Sequence, residues 1–297
     1  MKQRAILLAL VAGLASAVLY LLLTTGSPAA LVLAYFSQTP LFLVGLGLGL
    51  VPAAVACGVA LVGLAATTQL MTAFLFLLLT ALPVLYVVRQ ALFSRPRGDG
   101  SVEWYPPGLM LGGLTIYGLA LLLLIDVFFG TEVDNASREY LQMLAQISDS
   151  TLGPRAEMLA HYVPGAVIAS ALLMMVANGA LAQGALTRMG NGLRPSPEWR
   201  DVRLPRWLTP TLAVAAVAAL LPDVPGLVGA NAAIVVAMPF MLVGLAVLHT
   251  VSQRWPARGL ALGLIYATTV ILGWPAILVA GLGVVDQWLP LRRGRTA

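Results

Sequence analysis

Residues 5–88 read AILLALVAGLASAVLYLLLTTGSPAALVLAYFSQTPLFLVGLGLGLVPAAVACGVALVGLAATTQLMTAFLFLLLTALPVLYVV, 84 positions without one Asp, Glu, Lys or Arg. At about 20 apolar residues per crossing, such a stretch holds about four membrane-spanning helices. The break points are polar or helix-breaking: Thr24-Thr25-Gly26-Ser27-Pro28, Gly47 to Pro52, and Thr67-Thr68-Gln69. They divide the stretch into helices near 5–23, 29–49, 51–68 and 70–91, with Gln38-Thr39-Pro40 interrupting the second. Further spans are expected near 107–129, 161–186, 207–222 and 231–252.

Composition agrees with that reading. The 297 residues are 60% hydrophobic and only 10% charged, against about 25% charged in a typical soluble domain. A mean hydropathy of +0.91 leaves too little polar surface for a water-soluble enzyme or a disordered chain. The net charge of +5 is spread over short loops, which marks membrane topology and not a nucleic-acid footprint. The single cysteine, Cys57, lies in an apolar run and offers neither a disulfide nor a Cys-rich metal site. The fold class is all-α, a polytopic membrane helical bundle of about 8–10 segments forming one integral-membrane domain over residues 1–297.

Arginine placement orients the bundle, because cytoplasmic loops carry the excess of Lys and Arg. Lys2 and Arg4 sit inside, and four crossings later Arg89, Arg95 and Arg97 are inside again. The loop 130–160 then falls outside, with five acids (Glu132, Asp134, Glu139, Asp149, Glu157) against Arg138 and Arg155. The Arg-rich loop 188–206 returns inside. The last apolar stretch, Gly259 to Val285, is interrupted at Gly273-Trp274-Pro275. A single kinked span would leave Arg292, Arg293 and Arg295 outside; a Pro-broken hairpin returns them inside and is preferred. A rival reading of the N-terminus, as a cleavable signal peptide ending near Ala15-Ser16-Ala17, leaves this topology unchanged, and an uncleaved anchor suits the longer apolar run better.

Polar residues at membrane depth are costly and so point to cavities or partners. Asn178, Gln183 and Asp126 are the ligand-binding candidates. Asn178 either joins two helices by its amide or holds a polar ligand. Asp126 is either interfacial or on a cavity wall. His161 and His249 read as structural residues near the interfaces. On the first helix Ala5, Ala9, Gly13 and Ala17 recur every fourth residue, which suits close approach of another helix, whether inside this protein or on a partner subunit. In the outer segment 131–158, Tyr140, Leu144 and Ile147 fall at i, i+4 and i+7 and predict an amphipathic helix, a connector or a lid over a cavity. Trp199, Arg203, Arg206 and Trp207 are expected to anchor the inner interface. No catalytic residue, metal site or cofactor is expected: HExxH, GxSxG and paired-Asp motifs are absent, and Lys2 is the only lysine.

Two segments carry a family likeness. Arg203-Leu204-Pro205-Arg206-Trp207 runs into an apolar helix, and the chain closes with Gly281-Leu282-Gly283, Asp286, Trp288 and Leu291-Arg292. With the uncharged N-terminal half, they resemble the YybS-like bacterial membrane proteins, a family labelled as a domain of unknown function. Here Pro290 replaces the polar or acidic residue expected before the arginine. That family is distantly similar to the substrate-binding subunits of energy-coupling-factor (ECF) vitamin transporters. The resemblance implies a bacterial inner-membrane location and a transporter-like bundle. It also implies a partner subunit docking on the small face of the first helix. No nucleotide site is expected, so the functional expectation is binding of a small molecule or lipid without an energy-coupling site. The alternative is a non-transporting scaffold in envelope assembly or division, and a lipid-directed enzyme ranks below both.

The topology has a direct test. Reporter fusions after Arg97, Pro197 and Thr296 should report cytoplasm, and a fusion after Asp149 should report periplasm. A periplasmic signal from the last fusion would replace the hairpin with one kinked span.

Overall fold

The computed structural model describes residues 3–25, 27–147, 159–289 and 291–292. It is helical almost throughout. The helices are α1 (Gln3–Leu21), α2 (Pro28–Ala34), α3 (Thr39–Leu48), α4 (Leu50–Thr67), α5 (Leu70–Phe76) and α6 (Leu82–Ala91). After a small antiparallel hairpin of β1 (Ser94–Pro96) and β2 (Val102–Trp104) come α7 (Pro107–Ile147), α8 (Val163–Arg188), α9 (Leu208–Ala218), α10 (Asp223–Val251), α11 (Arg258–Leu272) and α12 (Pro275–Trp288). Among the described residues, seven helical stretches are long and apolar enough to cross a membrane: Gln3–Thr25, Ala29–Leu48, Leu50–Thr67, Leu70–Ala91, Pro107–Gly130, Val163–Arg188 and Asp223–Val251. The apolar helices α9, α11 and α12 are shorter.

The chain forms two compact units. The first comprises Met1–Met110 with Ala171–Pro197, and the second Leu111–Ser170 with Glu198–Ala297.

In the first unit, α1 lies against α4. A Cβ placed on Gly13 would stand 2.4 Å from the Ala56 carbonyl oxygen, and one on Gly63 3.8 Å from the Ala17 methyl. Numbering rises together on both helices, so the first and third spans are parallel, as an alternating chain requires. Ala9 and Ala17 are buried in the same seam. Of the two readings of the small face, a helix of this protein or a partner subunit, the structure shows the first at Gly13 and Ala17, where lack of side-chain bulk lets α1 and α4 meet. The opposite stripe of α1 is open and wholly apolar: Leu7, Val11, Leu14 and Val18 are each more than half exposed. Such a surface fits acyl chains and not water. Gly49, with φ +108°, separates α3 from α4 by a conformation that side chains rarely adopt. The second segment is broken as expected, by the 3-10 turn Tyr35–Gln38 between α2 and α3. Phe42, Phe76, Leu64 and Val88 form the closed core of this unit.

In the second unit two boundaries differ from expectation. The segment predicted as a span over 207–222 is an 11-residue helix, about 16 Å long and too short to cross a bilayer alone. The next helix begins at Asp223, eight residues before the predicted start. Pro225 and Gly226 suggest a loop, but Pro is tolerated in a first helical turn. Gly226 and Gly229 are contact points: a Cβ on Gly229 would lie 2.5 Å from the Ala219 backbone nitrogen.

The last apolar stretch is two helices parted at Gly273, whose φ is +72°, with Pro275 opening α12. Gly244 faces Val279 and Gly283 faces Phe240, so α12 runs antiparallel to α10. The Tyr266 hydroxyl of α11 lies 2.7 Å from His249 Nε2 near the C-terminal end of α10. The second arm of the expected hairpin thus pairs with α10.

The α10–α12 seam can be probed at two neighbouring glycines. A Cβ on Gly283 would sit 1.9 Å from the Phe240 carbonyl oxygen, whereas Gly281 has nothing within 4 Å. Thermal unfolding in detergent should show Gly283→Ala destabilised by about 1–3 kcal/mol, with Gly281→Ala close to the parent.

Candidate functional site

A cavity of about 330 Å³ lies within the second unit, between α7, the turn before α8, and the first half of α10. Its walls are mostly apolar: Leu119, Leu122 and Leu123 come from α7, and Val224, Leu227 and Val228 from α10. Asp126, His161 and Asn231 supply its polar lining. A volume near the low end of the usual range for ligand pockets, about 300–1,000 Å³, with few polar groups on greasy walls, is the ordinary build of a small-molecule site.

Each polar group is there for a local reason. Asp126 is exposed, four residues before the end of the Pro107–Gly130 span. The helix leaves regular geometry at Phe129 (φ −138°, ψ 16°) and continues to Ile147, so Gly130 and Val133 beyond the break close one end of the cavity. The segment predicted as an amphipathic helix is helical as far as Ile147, and Gly130 and Val133 at its start line the cavity. The side chains of Tyr140, Leu144 and Ile147, and residues 148–158, lie outside the described residues.

Asn231 is a bracket. Its Nδ2 donates to the His161 carbonyl at 2.7 Å and to the Leu227 carbonyl at 3.0 Å, while its Oδ1 accepts from the Gly165 N–H at 2.7 Å. Those bonds hold the first turn of α8 against α10. Sequence reasoning passed over Asn231 because the expected span began at that residue; only the helix start at Asp223 places the amide inside an apolar helix, as Asn178 is.

Asn178 and Gln183 belong to the first unit, apart from Asp126. Asn178 is buried at 2% exposure. Its Nδ2 donates to the Tyr35 carbonyl at 2.8 Å and the Met174 carbonyl at 2.7 Å, and its Oδ1 accepts from the Thr39 hydroxyl. The amide thus bridges α8 to the 3-10 break between α2 and α3. Gln183 donates to the Arg194 carbonyl at 2.8 Å and fastens the loop that follows α8. Arg194 donates to the Ala91 carbonyl at 3.1 Å and lies over the Trp104 ring. Burial holds its guanidinium below its ordinary pKa.

The predicted interface residues frame a third locus, in the second unit. Arg203, Arg206 and Trp207 are exposed and Trp199 half-buried; Trp207 also lies beside Gly112 of α7. Arg292 donates to the carbonyls of Trp199 (2.8 Å) and Val202 (2.7 Å) and, through Nε and Nη2, to Asp286 Oδ2 at 2.9 and 2.7 Å. Both side chains are almost fully buried. The Asp286 and Arg292 segment is thereby joined to the residues that immediately precede Arg203. Among the described residues no three His, Cys, Asp or Glu side chains gather where they could share a metal ion.

The two asparagines can be separated by melting temperature. Asn231→Leu strands a backbone N–H and a carbonyl and should cost about 1–3 kcal/mol. Asn178→Leu should cost about 1 kcal/mol, typical of interhelical bonds in membranes.

No curated protein and no solved structure matches the chain. A family model described as "Predicted membrane protein (DUF2232)" matches residues 14–287. With nearly its whole length covered, from the first helix through the Asp286 segment, the chain belongs to the DUF2232 family of predicted membrane proteins.

Proposed function

We propose that the protein binds a small molecule or lipid in the cavity between α7, α8 and α10. The observation that carries this reading is the roughly 330 Å³ apolar chamber with Asp126 on its wall. In a bundle that satisfies its own backbone bonds, an ionisable side chain placed at such a chamber suggests use, since structure alone would favour an apolar residue there. The helix that breaks at Phe129 and contributes Val133 to the lining supports a cover that moves with ligand entry. The arginine distribution supports a cytoplasmic membrane location with both termini inside. The YybS-like resemblance, and through it the likeness to ECF substrate-binding subunits, fits the same reading. Active transport would then draw its energy from a partner or an ion gradient. The bundle is read as binding and not as catalysing.

Native mass spectrometry of the detergent-purified full chain tests the proposal. A bound molecule should be retained by the parent and lost from Ala232→Phe, whose ring fills the chamber, at an unchanged melting temperature. Equal occupancy in the two proteins would rule the cavity out as the binding site.

A further inference from the structure

The cavity proposed above carries one uncompensated charge. Asp126 lines it, and among the described residues its carboxylate makes no hydrogen bond or ion pair. No Lys or Arg is among the lining residues, and the one other titratable side chain there, His161, is engaged elsewhere and makes no bond to Asp126. Asn231 offers a ligand no donor, because both hydrogens of its Nδ2 already go to the His161 and Leu227 carbonyls. Asp126 is exposed near the end of the span, so its carboxylate is open to an incoming ligand, and a cationic group seated against the apolar wall would find there a charge of opposite sign.

We infer that the ligand is a compact apolar body bearing one ammonium group, which Asp126 receives while Leu119, Leu122 and Leu227 hold the rest. This rests on the cavity being a binding site. The ammonium group can belong to a free amine or to the headgroup of an amine-bearing lipid, and the two are separable by experiment.

The full chain is placed in nanodiscs of phosphatidylglycerol and titrated calorimetrically with 1-adamantanamine and, separately, with the neutral 1-adamantanol. The amine should bind about tenfold or more tightly than the alcohol. Asp126→Asn should bring the two together, Asp126→Glu should restore most of the difference, and Ala232→Phe should remove both. In a second arm, native mass spectrometry from mixed phosphatidylethanolamine and phosphatidylglycerol membranes reads lipid retention. Preferential retention of phosphatidylethanolamine that Asp126→Asn abolishes assigns the site to a lipid headgroup. Amine binding without such retention assigns it to a free amine. Equal binding of amine and alcohol by the parent, without lipid preference, would overturn the ammonium inference and leave the cavity standing. Binding of neither probe, with no lipid retained, would overturn both.

Discussion

Wherever this chain departs from helix, its freed backbone groups need a partner that hydrocarbon cannot supply. In each unit one asparagine provides it. Asn178 reaches from α8 to the Tyr35 carbonyl at the break between α2 and α3. Asn231 reaches from α10 to the His161 carbonyl and the Gly165 N–H at the start of α8. Both amides also bond the carbonyl four residues earlier on their own helix, which fixes their orientation. The break between α2 and α3 is held by Asn178 and the start of α8 by Asn231, which also lines the chamber. Their deep burial follows from that use: an amide with every hydrogen bond made no longer bears the cost of desolvation.

Around these brackets, packing relies on the absence of side chains. Lipid tails are as apolar as Leu, so helices gain little by hiding Leu from lipid and more by close van der Waals approach. Gly13 against Ala56, Gly229 against Ala219, and Gly244 and Gly283 across the α10–α12 seam put backbone against backbone. Larger apolar residues face outward, as on α1. The Asp286–Arg292 pair ends the same seam. With its guanidinium spent on a carboxylate and two carbonyls, Arg292 ties the chain after α12 to the segment before Arg203. A buried pair of this kind contributes little net stability, but losing one partner is expensive, so it specifies an arrangement.

The chamber sits where these constraints leave room. The approach of α8 to α10 is set by Asn231, and the wall on the α7 side by leucines. Beyond the break at Phe129, Gly130 and Val133 add to the lining of the chamber. Asp126 is therefore held at a fixed place on the wall by a regular helix, which is how a single charge becomes a selective feature.

Residues 5–88 determined the class of the protein unaided, because so long an uncharged run has no stable arrangement in water. The segment breaks at Gln38-Thr39-Pro40 and Gly273-Trp274-Pro275 were legible for a similar reason: proline and glycine act through their own backbone. What the sequence left open was every choice of partner. Ala5, Ala9, Gly13 and Ala17 announce a close contact but not with which helix, and α4 takes it. The stretch between the expected spans 207–222 and 231–252 is helical from Asp223, because its glycines serve tight helix contact, as Gly229 does against Ala219. Asn178 was visible as an amide inside an expected span, whereas Asn231 stood at the first residue of one until the structure began that helix at Asp223; which groups each would bridge depends on residues about 140 and 70 positions away. Asp126 was visible as a charge near a helix end. Only the folding of α10 and the turn before α8 beside it made that charge part of a cavity, since a cavity is a property of surfaces brought together and no single segment contains it.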